Sequence, residues 1–170
     1  RNYQMSARIL NIVSATRNPQ NHDQDHLELS TGVNLLVGDL NAGKTKWFQM
    51  IDFALGDRDP PEKSVNQQLT EKYDRITLKV RIGGVEHTIE RRWKEKNVRG
   101  KIFVDENPLT PDDFSIFMLE ELNIPRIERP SGDPYDREWI ELSWRELFRH
   151  MFKWERPWDG FAEKQPAVTR

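Results

Sequence analysis

The sequence predicts an α/β fold with a mixed sheet, a glycine-rich loop between strand and helix, and an antiparallel β-hairpin subdomain. Three observations carry this. Residues 33–37 form a nearly continuous apolar run that closes at Gly38, as buried parallel strands do. That run leads through "GDLNAGKT" into Trp47, Met50, Ile51, Ala54 and Leu55, which recur at helical spacing. Further along, Ile76, Leu78, Val80 and Ile82 alternate with Thr77, Lys79 and Arg81 before Gly83-Gly84 and "VEHTIERRW", the pattern of a half-buried hairpin with a tight glycine turn.

The elements follow in order. "RILNIVSA" is β-branched and apolar enough for a strand, and "DHLELSTGVNLLVG" reads as two strands joined by a turn at Thr31-Gly32. The helix after the glycine-rich loop ends where Gly56 supplies a left-handed cap. "DRDPPEKSVNQQ" is polar and turn-rich, a loop. After the hairpin, "KIFVDENPLT" continues with a short strand and a turn. Thr110 followed by Pro111, Asp112 and Asp113 marks a helix start ahead of Phe114, Phe117, Met118 and Leu122. The proline-rich stretch "IPRIERPSGDPYDRE" reads as an exposed connection. Ser143-Trp144-Arg145-Glu146 is a capping box before Leu147, Phe148, Met151 and Phe152, whose shared helical face predicts core packing.

Composition narrows the function classes. A chain of 170 residues suits one domain, and six Trp with eight Phe supply large apolar anchors. With no Cys there is no disulfide framework, thiolate metal site or cysteine nucleophile. A net charge of −2 argues against a nucleic-acid footprint over the whole chain. There is no membrane-length apolar run and no signal-peptide pattern, so the expectation is a cytoplasmic protein with no membrane partner. The chain begins at Arg1 and stops after "EKQPAVTR" without tail-like composition, which suggests a fragment.

Residues Gly38, Asp39, Leu40, Asn41, Ala42, Gly43, Lys44 and Thr45 fit G-x-x-x-x-G-K-[ST], the P-loop of P-loop NTPases. The two glycines let successive N–H groups turn toward phosphate oxygens, and the helix start adds its positive dipole end. Lys44 would reach the β- and γ-phosphates of ATP as the catalytic cation, and the Thr45 hydroxyl would bind Mg²⁺. Lys46 joins the nucleotide-binding set at the helix start. Four fixed positions match by chance in about one chain in a hundred of this length, and the strand and helix contexts lower that further. Hydrolysis also needs an acidic residue at a strand end and a group that positions water. "KIFVDE" is the one look-alike, and Asp105-Glu106-Asn107-Pro108 reads instead as a hairpin turn.

Three other patterns compete with the loop. His22, Asp23, Asp25 and His26 have metal-like spacing, but their turn-like context favours a solvated loop. "ERRWKEKNVRGK" concentrates basic residues around Trp93, and its glutamates favour a solvated face over a phosphate-backbone contact. The aromatic stretch "WRELFRHMFKWERPW" would leave a sticky surface if a further lobe normally covered part of it.

Beyond the loop itself, "GVNLLVGDLNAGKTKWFQMIDFALGD" resembles the N-terminal half of the ATPase head of SMC-like ABC ATPases, the group of chromosome-maintenance and double-strand-break-repair proteins. "TLKVRIGGVEHTIERRW", "FMLEELNIP" and "ELSWRELFRHMFKWE" are similar to later segments of the same half-head, so the resemblance spans about residues 8–155. It implies a P-loop NTPase fold of the ABC ATPase N-lobe type. In that family a coiled coil separates this lobe from a C-terminal ATPase lobe carrying the signature and the Walker B acid, and neither motif occurs here. Two complete heads, as a homodimer, would sandwich ATP·Mg²⁺ and hydrolyse it in an assembly acting on DNA, in repair, chromosome organisation or defence against foreign DNA. The lone lobe would bind ATP and hydrolyse little.

The resemblance also places an Arg near the nucleotide, at Arg17, and makes Glu155 the nearest candidate for the family's glutamine at Mg²⁺ and the attacking water. Arg91 or Arg92 would be structural. The loop departs from the family pattern: Asp39-Leu40-Asn41 stands where Pro-Asn-Gly is usual, and Ala42 replaces Ser. The alternatives are a small self-contained P-loop kinase or NTPase, and a degenerate head serving as a structural protein-interaction module.

Overall fold

A computed structural model describes residues 6–39, 43–131 and 138–152. Its strands are β1 (Leu10–Asn18), β2 (His26–Glu28), β3 (Arg75–Ile82), β4 (Val85–Arg92), β5 (Ile102–Val104), β6 (Asn107–Leu109), β7 (Glu128–Pro130) and β8 (Trp139–Glu141). Its helices are α1 (Lys44–Ala54), α2 (Pro61–Ser64), α3 (Gln67–Lys72), α4 (Pro111–Glu121) and α5 (Trp144–Met151).

The first six strands form one sheet in the order β2-β1-β3-β4-β5-β6, and every pairing is antiparallel. The chain combines helices and strands as expected, but the expected α/β arrangement with a mixed sheet is corrected to an antiparallel one: no parallel pair occurs among the described residues. The β3–β4 hairpin is as its alternation dictates. Ile76, Leu78, Val80 and Ile82 are fully buried, and Gly83 (φ +56°) with Gly84 (φ +94°) makes the turn. On the same face the register places Ala15 opposite Leu78 and Ile89 opposite Val104. This apolar face packs against Trp47, Met50 and Ile51 of α1, Phe114 and Met118 of α4, and Trp144 and Phe148 of α5 in one core.

Helix starts follow their sequence signals. The Thr110 hydroxyl accepts from the Asp113 N–H (3.1 Å) and the Ser143 hydroxyl from the Glu146 N–H (3.3 Å), each closed into a capping box. Gly56 lies past the end of α1 at φ +105°, as expected of a left-handed cap. Two stretches read as plain loops carry regular structure. Residues 57–68 contain α2, opened by the Pro60-Pro61 pair, and the start of α3, capped by Asn66. The proline-rich connection contains β7, which pairs antiparallel with β8 just after it. On α5, Trp144 and Phe148 are buried but Met151 is exposed, so the predicted core face is only partly covered.

The largest correction concerns residues 33–37. They form no strand and pair with none among the described residues, and Val33, Leu35 and Val37 are 99%, 83% and 76% exposed. The apolar pattern is that of a buried strand, but the run pairs with neither edge of the sheet, β2 or β6, among the described residues. Leu36 alone packs against the core.

Candidate phosphate-binding site

The site lies at the start of α1. Gly43 occupies the left-handed region (φ +78°, ψ 17°), a conformation that costs an L side chain roughly 1–2 kcal/mol, and from it the chain turns into the helix. The Gly43 carbonyl accepts from the Lys46 N–H (3.1 Å) and, longer, the Trp47 N–H (3.4 Å), closing the first turn. The earlier N–H groups of an α-helix have no intrahelical partner and carry its positive dipole end. The Lys44 ammonium folds back over the loop, donating to the carbonyls of Gly38 (2.6 Å) and Asp39 (2.7 Å). An ammonium has three donors, so one remains for a ligand oxygen. Thr45 is exposed on the first turn and Lys46 half-buried beside it. Gly38, Asp39, Gly43, Lys44, Thr45 and Lys46 are thus brought to one end of one helix. Leu40, Asn41, Ala42 and Glu155 lie outside the described residues.

Arg17 stands behind the first turn of α1. It is buried on β1, opposite Ile76, with its guanidinium 3.6 Å from the centroid of the Trp47 ring and 5.4 Å from that of Tyr73. Burial lowers its pKa, partly offset by Tyr73 and Asp25, and its Nε–H has no hydrogen-bond partner. Trp47 is the first fully enclosed residue after Lys44, so Arg17 braces the first turn from inside the core.

The far end of α1 is held by side chains that sequence reasoning did not connect to the site. Arg145 Nη1 donates to the Asp52 carbonyl (3.1 Å) and carboxylate (2.6 Å), Arg91 Nη1 to the carbonyls of Phe53 (3.0 Å) and Asp57 (2.9 Å), and Trp144 Nε1 to the Leu55 carbonyl (3.0 Å). Arg91 is therefore structural, as the resemblance implied. Burial pushes its pKa down to about 10, with Asp57 opposing and Arg145 adding to the shift. The local signal was Asp52, an acid in the last turn of a helix that has no base there.

The competing signals resolve into structure. Asp25 is buried and accepts from the Tyr73 hydroxyl (2.5 Å) and the Asn21 and His22 N–H groups (3.2 Å each), while His26 Nδ1 lies 2.7 Å from the Thr16 hydroxyl. No group of His, Asp and Glu able to hold a metal ion occurs among the described residues. In the basic segment Arg92 pairs with Glu90 and lies over Phe103, Arg99 pairs with Glu62, and Lys94 donates to the Glu71 carbonyl, so most of its cations already have partners. Asp105 and Glu106 sit at positive φ in the turn between β5 and β6, which is the hairpin turn the sequence favoured over a Walker B strand end. No helix is long and apolar enough to cross a membrane among the described residues. No family model, curated protein or solved structure matches the chain.

Proposed function

We propose that this chain is the nucleotide-binding N-terminal lobe of an SMC-like ABC ATPase, of P-loop NTPase fold. It binds ATP·Mg²⁺ through residues 38–46. The observation that carries the reading is the cradle: a left-handed Gly43 at the head of an 11-residue helix, with the Lys44 ammonium tethered to two loop carbonyls and one donor to spare. The donor set suits a triphosphate, since backbone N–H groups and a lysine are what phosphate oxygens need. The Thr45 hydroxyl would supply the protein's ligand to Mg²⁺, phosphate and water oxygens the rest.

The exposed run of residues 33–37 supports a lobe awaiting its other half. A β-branched apolar segment left without a neighbour is what a strand looks like when its sheet partners belong to another polypeptide segment. On this reading hydrolysis requires the C-terminal lobe and a second head, and the DNA-linked role belongs to that assembly. The degenerate-head alternative is favoured by one feature, the exposed Asp39 carboxylate inside the loop, which opposes a polyphosphate. Thermal unfolding of the chain with saturating ATP, with and without Mg²⁺, separates them. A Mg²⁺-dependent rise in the midpoint is expected, and an unchanged midpoint would favour the interaction module.

A further inference from the structure

Helix α1 breaks the local rule for a helix end. Cations favour the carbonyl-rich C-terminus, yet the last turn of α1 carries Asp52 and no Lys, Arg or His. The compensation is imported from two distant elements. Arg91 comes from β4 and Arg145 from α5, and with Trp144 they take the carbonyls of residues 52, 53, 55 and 57. Arg145 also pairs with the carboxylates of Asp52 (2.6 Å) and Asp57 (3.4 Å), and both of its partners are largely buried with it. Such a clasp is geometrically specific, because a planar guanidinium donates along fixed directions.

We propose that Arg145, together with Arg91, is a positioning residue of the phosphate cradle and acts through α1. This rests on the ATP·Mg²⁺ reading above for its ligand, and on the geometry for everything else. At 11 residues α1 is about 16 Å long, so a tilt of about 5° at the clasp moves the loop end by about 1.4 Å. A displacement of about 1 Å is enough to cost a site much of its complementarity. At the loop end Trp47 is the one buried residue of the first turn, with Lys44 and Lys46 half-buried and Thr45 exposed. The core face of α1 fixes it sideways; the clasp sets the direction in which its N-terminus points. Because Trp144 and Arg145 open α5, the same contacts tie that direction to the C-terminal helix of the described chain.

The test uses the full chain and two variants: Arg145→Lys, which keeps the charge and loses the fork, and the charge-balanced double variant Asp52→Leu with Arg145→Met. Amide hydrogen exchange is read at residues 46–49 without ligand, and ATP·Mg²⁺ affinity is read by calorimetry. In whichever variant folds, residues 46–49 should exchange about tenfold faster while the β3–β4 hairpin keeps its rates, and the Kd should rise about tenfold. Unchanged exchange at residues 46–49 in a folded variant would overturn the proposal, even if residues 52–57 were loosened, since a merely structural cap would move only those. If the parent chain binds no ATP, the proposed function fails on its own, and the exchange measurement still decides the positioning role.

Discussion

Replacing Gly56 with alanine tests how tightly the end of α1 is packed. Gly56 has φ +105°, and a Cβ there would meet Phe114 Cδ1 and Cε1 at 3.3 Å and Trp144 Cδ1 at 3.6 Å. Gly84 is the matched control: its φ is +94°, and a Cβ would meet nothing within 4 Å. Both substitutions impose the backbone cost of a side chain at positive φ, about 1–3 kcal/mol. Only Gly56→Ala adds a packing cost. Phe114 is fully buried and Trp144 nearly so, so neither ring has room to retreat, and overpacking a closed core costs about 1–3 kcal/mol more. Urea denaturation of the two variants should therefore show Gly56→Ala less stable than Gly84→Ala by about 1–3 kcal/mol, with similar m-values. Losses equal within about 0.5 kcal/mol would refute the packing of α4 and α5 against the end of α1.

Further predictions follow from buried polar groups and caps. Tyr73→Phe removes the hydroxyl that donates to buried Asp25 and should cost about 1.5–3 kcal/mol in the same assay; a loss under about 0.5 kcal/mol would contradict the bond. Asp25 is pushed up by burial but held below the ordinary carboxyl range overall by Tyr73 and by the Asn21 and His22 N–H groups. The Ser143 backbone N–H, joined by Arg129 and the Ser143 hydroxyl, lowers Glu146 despite its burial. Both groups bind fewer protons folded than unfolded near the ordinary carboxyl pKa, so their stabilisation is complete above about pH 4–5 and lost as pH falls through the lowered folded pKa. Acid titration of Asp25→Asn should show a shallower loss of stability below about pH 4 than the parent, and an identical slope would count against Asp25. Thr110→Ala should destabilise by about 1 kcal/mol by uncapping α4, read by thermal unfolding.

Elements whose physics is local were legible in the sequence. The β3–β4 hairpin needs only alternation and two glycines, α4 announces itself by the Thr110 cap with Pro111 at its first position, and α5 by a capping box whose hydrogen bonds span three residues. The Asp105 turn was legible too, because Asp-Glu-Asn-Pro is turn chemistry whatever the strand before it. Residues 33–37 were misread because their pattern specifies burial without specifying by what, and a strand needs a neighbour. The short helices of residues 61–72 were missed because Pro60-Pro61 reads equally as a break and as a helix start. In the candidate site the helix start at Lys44 was legible and its supports were not. Arg17 on Trp47, and Arg91 and Arg145 on the end of α1, are contacts between residues 30 or more apart, which no local pattern encodes.

The central claim is that the Lys44 cradle holds ATP·Mg²⁺, and equilibrium titration of the full chain beside Lys44→Ala tests it most directly. The parent should bind ATP·Mg²⁺ saturably at one site. Lys44→Ala, whose half-exposed position leaves the core intact, should keep the parent's unfolding midpoint without ligand and bind at least about tenfold more weakly, the loss of a charge-assisted contact of roughly 1.5–3 kcal/mol. No binding by the parent, or equal binding by the two chains, would contradict the account.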